Sequence, residues 1–403
     1  MSNLHFHSLV SGNNQFSVNK LSRRNQIGLT LIELLVAMAI SLFMLIGIAL
    51  VYSSSKTGFA YANNTVRMSE DASFIIEILG RDIRMAGYAG CTGSAVGSTG
   101  GATPADIFIP SLDLVDSQAL PVASTRPNPF SGVSGGNLTP IFTARNAVWG
   151  FPANNTNALS VLGGGPTSFT LSTTNPLLYL AGGSSQALQL AAAATAVTDN
   201  LSITADTYGW RDPVNSNTNP TFLIVSNCQV SELFRGSLSG TPVTITHADT
   251  NNDSASFANV YSSDATITTL NSSVYFLATR VGSANPSLYR RFFNGRVATT
   301  EELVPNVEAI TFHYGENTSN TPTATPEPTY RADIYRTDPS AVLDWSRVVS
   351  VRMGLILVSE ENNQASVVNQ SLEWIDGTYT PPNDGRIRRA YSTTVSIRNR
   401  MGL

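Results

Sequence analysis

The stretch from Leu29 to Tyr52 constrains this chain more than any other, because about 24 mostly apolar residues make a helix long enough to cross a bilayer with some tilt. It carries one carboxylate, Glu33, at a depth where an ionised group is costly unless it has a partner or a task. Lys20, Arg23 and Arg24 precede it, so the positive-inside rule holds the N-terminus in the cytoplasm. A secretory signal peptide fits poorly. Its apolar region runs about 7–15 residues and ends in small residues at a cleavage site, and no A-x-A-like site follows here.

The amphipathic pattern continues beyond the span. Ser53, Ser54, Ser55 and Gly58 weaken helix propensity, so a bend or loosened turn is expected there. Met68, Ala72, Ile75, Leu79, Ile83 and Ala86 then recur every three or four residues, a stripe along one helix face. Glu70, Asp71, Glu77, Arg81 and Arg84 take the other faces, and Gly87 and Gly90 supply a stop. One helix from Leu29 to about Ala86 follows, with its second half docked through the stripe on a globular head. A single short stripe without sustained heptads argues against a coiled-coil stalk.

From Cys91 onward the chain is rich in Gly, Ser and Thr. Only 13% of all residues are charged, against about 25% in ordinary soluble domains, which suits an extracytoplasmic, β-rich protein. Residues 92 to about 200 read as strands and surface insertions with one short helix, the apolar runs Leu177–Ala181 and Ala187–Val197 among them. Strands are expected at Phe222–Ser226, Val274–Leu277 and Val307–Tyr314. In Val348–Val358 the alternation puts Val349, Val351, Met353, Leu355 and Leu357 on one face. Near the end Tyr391, Thr393, Val395 and Ile397 alternate with polar residues. Strands following one helix argue an α+β fold with an antiparallel sheet packed on that helix.

Several functions are disfavoured. The net charge of −4 gives no general attraction to nucleic acid. Only His247 and His313 lie beyond the leader, and no nucleophile elbow, metal triad or paired-acid motif accompanies them, so neither catalysis nor a cofactor is expected. Asp249–Asp253 echoes a calcium loop, but Ser254 and Val260 stand where Gly and a bidentate Glu belong, leaving a solvated Asx-rich turn. Tyr289 with Arg290, Arg291 and Arg296 reads either as a small anion or DNA patch or as packed strand ends with extended arginine stems. Cys91 and Cys228 are in no metal-ligand spacing. An oxidising compartment would most simply pair them, closing a loop worth roughly 4–5 kcal/mol on the chain-entropy picture, while two buried free thiols are the alternative.

Gly28-Leu29-Thr30-Leu31-Ile32-Glu33, after a basic leader and before a long apolar helix, resembles the cleavage and methylation motif of type IV prepilins and pseudopilins. The resemblance implies that residues 1–28 are a leader removed by a prepilin peptidase after Gly28, and that Leu29 becomes an N-methylated N-terminus. It further implies that Glu33 meets the N-terminal amine of a neighbouring subunit and fixes its register; a Glu33 that snorkels to the headgroups is the plainer reading. Leu29 stands where Phe is commonest in the family.

Asp82–Cys91, Ser287–Arg291 with Leu303 and Val304, and Tyr391–Arg400 are similar to segments of PilW-type minor pilins, whereas residues 92–220 match only loosely. The implied organisation is a leader (1–28), a transmembrane or filament-core helix half (29–52), an amphipathic half (53–89) and a periplasmic β-rich head (90–403) with a loop-rich insertion at about 92–220. The implied role is priming or capping of type IV pilus assembly, serving twitching motility, attachment or DNA uptake. Implied partners are other minor pilins, the major pilin, a tip adhesin and the inner-membrane assembly platform. The protein would sit in the bacterial inner membrane and then in the pilus, at its tip. A type II secretion pseudopilin and an adhesive tip module are the alternatives.

Overall fold

The described chain opens on a helix that nothing interrupts for 55 residues, α1 (Leu31–Met85). The computed structural model describes residues 30–90, 147–153, 169–211, 221–227, 230–248, 256, 257, 259–296, 298–318, 331–343, 345–360 and 371–400. The chain divides into two compact units, residues 1–58 and 59–403. The expected loosened turn at Ser53–Ser55 and Gly58 is not seen: helical hydrogen bonding runs through it, and the Thr57 hydroxyl donates to the Ser53 carbonyl at 3.0 Å. Three or four weak helix formers in a row cost too little to break a helix of this length.

The second unit contains the strands. They are β1 (Val148–Phe151), β2 (Phe169–Leu171), β3 (Leu177–Gln189), β4 (Leu201–Ile203), β5 (Thr221–Ser226), β6 (Ser231–Ser239), β7 (Val243–Thr246) and β8 (Thr266–Arg280). There follow β9 (Ser287–Phe293), β10 (Ala298–Pro305), β11 (Val307–Glu316), β12 (Ile334–Arg336), β13 (Val348–Val358), β14 (Leu372–Trp374), β15 (Gly377–Tyr379) and β16 (Arg388–Ser396). Every pairing among them is antiparallel, as the α+β expectation requires.

The long strand β8 is the spine of a ten-stranded sheet. One edge takes β3 and then β2, and the other takes β5 and then β9. Alternate residues of β3 and β8 feed two different cores: Leu178, Leu180, Tyr275 and Leu277 join the helix-side cluster, while Leu177, Tyr179, Phe276 and Ala278 pack on the opposite face. A smaller sheet runs β12-β11-β13-β16.

The helix stripe lands as the sequence spacing requires. Met68, Ala72, Ile75, Leu79, Ile83 and Ala86 are all buried in the cluster built from both sheets. The first residues of the apolar run Ala187–Val197 continue β3 in register with Thr266–Thr268 of β8. One further expectation fails. In β13, Val348 rather than Val349 joins Val351, Met353, Leu355 and Leu357 in the helix-side core, since the register against β11 shifts between Gly315 and Glu316. The other face of β13 is buried as well, with the Ile375 side chain lying against Gly354.

Candidate assembly interface

At the start of α1, Thr30 and Glu33 close a reciprocal cap. The Thr30 amide and hydroxyl each donate to Glu33 Oε2 at 3.0 Å, and the Glu33 amide donates back to Thr30 Oγ1 at 3.3 Å. Two of the helix's otherwise unpaired N-terminal donors are thereby satisfied. Both bonds fall on Oε2, leaving Oε1 to accept from a second donor. Sequence reasoning singled out Glu33 but missed this local role, although Thr30-Leu31-Ile32-Glu33 carries the S/T-x-x-E signature that announces it. Gly28 and Leu29 lie outside the described residues.

The large apolar side chains of α1 from Leu31 to Tyr52 are exposed. This helix is long and apolar enough to cross a membrane. An uncovered apolar surface of this extent demands lipid or protein around it.

Further along, the face opposite the buried stripe also carries apolar groups. Phe59, Val66 and Phe74 are 78%, 53% and 46% exposed. At about 3.6 residues per turn they fall on the far side of the helix from Met68 and Leu79. Arg67, Glu70, Glu77 and Arg81 are interleaved with them and exposed. The helix is thus amphipathic in two senses at once, with one face spent on the head and the other open.

Four segments distant in sequence hold the C-terminal end of α1. Gly87, at φ +78°, ends the helix in the left-handed conformation, and the Tyr88 amide closes the last turn on the Met85 carbonyl at 3.0 Å. The Asn399 side chain donates to the Met85 and Ala86 carbonyls at 3.3 and 3.2 Å. From β3, the Ala181 carbonyl accepts from the Gly87 amide at 2.8 Å and the Gly183 amide donates to the Tyr88 carbonyl at 2.5 Å. A Cβ on Gly182 would come within 2.7 Å of the Met85 carbonyl oxygen, so the close approach needs glycine.

The other two segments, β8 and β9, act through Asp82. Its carboxylate accepts from the Tyr275 hydroxyl at 2.5 Å and from the Ser273 hydroxyl at 3.3 Å, both on β8, and pairs with Arg290 of β9 at 3.6 Å. Burial and the adjacent Asp82 charge push the Tyr275 phenol well above its ordinary pKa, so it stays a donor. Arg290 is also held by Glu301 at 2.5 Å, and Arg291 donates to Thr300. The Tyr289–Arg291 segment is therefore spent on packing and internal pairing, which leaves little of the anion patch considered above.

Both histidines serve structure. His247 Nε2 contacts the Asp199 carbonyl at 2.9 Å, and His313 is bonded to Asp376. Among the described residues no group of three His, Cys, Asp or Glu side chains is arranged to hold a metal. The Asx-rich turn at 249–253 lies outside the described residues, as do Cys91 and Cys228. Their described neighbours nevertheless meet: Gly90 lies against the Ser226 side chain, and the Ser231 hydroxyl donates to the Ala89 carbonyl at 2.5 Å.

An N-terminal helix that starts apolar, carries a capping carboxylate in its first turn and ends seated on an antiparallel head fits the pilin class, with the helix as a single-pass membrane anchor. Residues 23–49 match the prokaryotic N-terminal methylation motif, and residues 274–399 match the type IV pilus-assembly protein W family. These two matches support a type IV pilin of the PilW type. Neither matched family is an enzyme family. Comparison with curated proteins and with solved structures returns no match. The family match covers β9 to β16 with nearly half of β8, so it includes both Arg290 and Asn399, which grip the helix end.

Proposed function

We propose that this protein is a minor pilin that primes or caps type IV pilus assembly. Prepilin peptidase cuts it after Gly28, Leu29 is N-methylated, and the apolar half of α1 anchors it in the inner membrane with the head in the periplasm until the subunit enters the pilus. Major and minor pilins pack on the open helix face. A tip adhesin and the inner-membrane platform are the further partners this role calls for, and motility or attachment is its outcome.

The observation that carries the reading is the pairing of two opposed helix faces, one buried in the head and one exposed through Phe59, Val66 and Phe74, on a helix whose first turn presents Glu33. An unpaired carboxylate and an unpaired amine are each costly in lipid, and they cancel when brought together between subunits. Glu33 Oε2 serves the subunit's own cap, and Oε1 receives the neighbour's Leu29 amine.

Two substitutions separate cap from charge. Glu33→Gln keeps a capping residue and removes the charge, whereas Thr30→Ala keeps the charge and removes the reciprocal cap. Incorporation into sheared pili, read by immunoblot with membrane level as control, should fail in Glu33→Gln and persist in Thr30→Ala. Normal piliation and incorporation in Glu33→Gln would defeat the register role. Failure in Thr30→Ala alone would assign Glu33 to the helix cap only.

A further inference from the structure

The assembly role makes no use of a cleft beside the last turn of α1. It has a volume of about 320 Å³, within the range of small-ligand sites of about 300–1,000 Å³, and a smaller hollow of about 140 Å³ shares Ser184, Asn271 and Phe292 with it. Its charges are already matched. Arg290 lies between Asp82 and Glu301 with its guanidinium over the Phe292 ring at 5.1 Å, and Arg81 is 3.5 Å from Asp82. A strongly charged ligand would have to displace those pairs.

Beyond those pairs and Arg296, which lines the smaller hollow, the polar groups of the lining are neutral. Ser184, Gln186 and Asn271 present hydroxyl and amide groups that both donate and accept. The smaller hollow carries an aromatic platform: Tyr208 is 44% exposed, and its ring stacks on buried Trp210 with centroids 5.7 Å apart. The platform is held in place, since the Asp206 carboxylate accepts from the Trp210 and Arg211 amides at 2.8 Å each. A pre-positioned ring loses little freedom when a ligand stacks on it.

We propose that this cleft binds a short neutral oligosaccharide. One sugar ring lays its C–H face on Tyr208, while Gln186 and Asn271 exchange hydrogen bonds with its hydroxyls. An extended peptide would draw its affinity from a free strand edge, but β3 pairs with β8 up to Gly183 and again from Ala187, and across the bulge between them the Thr268 hydroxyl donates to the Ser184 and Gln186 carbonyls. The inference stands apart from the pilus role and does not depend on it.

The test uses the full chain in nanodiscs, free of glycosidic detergent, with cellotriose, maltotriose and triacetylchitotriose as probes in saturation-transfer NMR. At least one probe should bind with a Kd at or below about 1 mM, and Tyr208→Ala and Asn271→Ala should each weaken it about tenfold or more. Val281→Ser, on the exposed β8–β9 hairpin, should leave it unchanged. If Asn271→Ala disrupts the sheet, Gln186→Ala on the exposed stretch of β3 takes its place. The proposal is overturned if no probe binds on that scale, or if binding survives these substitutions. Saturation of the same residues by the tripeptide Asn-Gly-Ser and by none of the sugars would assign the cleft to peptide and overturn it as well.

Discussion

Replacing Asp82 should loosen the end of α1 from the head more than its place on the helix surface suggests. The carboxylate is about four-fifths buried, accepts from Tyr275 at 2.5 Å and pairs with Arg290 at 3.6 Å. A hydrogen bond to a charged group contributes about 1.5–3 kcal/mol, and a buried hydroxyl left without an acceptor costs about 1–3 kcal/mol. Arg290 keeps Glu301 in either case, so its desolvation adds little. Asp82→Ala is therefore expected to cost about 3–4 kcal/mol, within the sum of these two ranges because both terms act together. Tyr275→Phe, which leaves the carboxylate with Ser273, Arg81 and Arg290, should cost about 1–2 kcal/mol. The double mutant isolates the pair, and the coupling should be about 1.5–3 kcal/mol. Urea unfolding followed by tryptophan fluorescence reports it, since Trp149 and Trp345 stack at 4.8 Å beside the helix-side core. A coupling below about 0.5 kcal/mol, the level at which independent sites simply add, would show that the Asp82–Tyr275 bond does not hold the helix.

Two other expectations concern acid and thiol chemistry. Arg388 grips Asp384 through two bonds of 2.6 and 2.7 Å, and this holds the Asp384 carboxyl at about 2. Because the folded value lies below the unfolded value of about 3.9, the stabilisation is complete above about pH 4 and is lost as pH falls towards 2. The stability gap between wild type and Asp384→Asn should narrow over that window, and a gap independent of pH would refute the assignment. Cys91 and Cys228 are proposed to form a disulfide, an expectation that the meeting of Gly90 with Ser226 supports. Non-reducing peptide maps of protein exported by its native host should contain the linked pair, and recovery of both as free thiols would exclude it.

How much was legible depends on how local the cause is. The buried stripe of α1 could be read residue by residue, because a 3.6-residue period survives whatever the helix packs against. The edge strand β16 was legible for a similar reason: one face is covered and one is not, so Tyr391, Thr393 and Val395 alternate with exposed residues. The alternation of β13 misled, since both of its faces are buried and a register shift near Val349 rotates the pattern. The extent of β3 as far as Gln189 depends on long-range pairing with β8, which no local pattern in Ala187–Val197 encodes. At the helix start, Glu33 drew attention as a charge among apolar residues while its bond to Thr30 went unread. The grip of Asp82 on Tyr275 spans 193 positions, and no periodicity encodes it.

In the proposed pathway, removal of a leader frees the amine that Glu33 receives and so makes the helix available for assembly. Mass spectrometry of the N-terminal peptide of this protein, isolated from pili of its native host, reads that step. The expected peptide begins at Leu29 and is one methyl group heavier than the unmodified sequence. A mature chain that retains residues from the Met1–Gly28 segment, or that begins within α1, would contradict it.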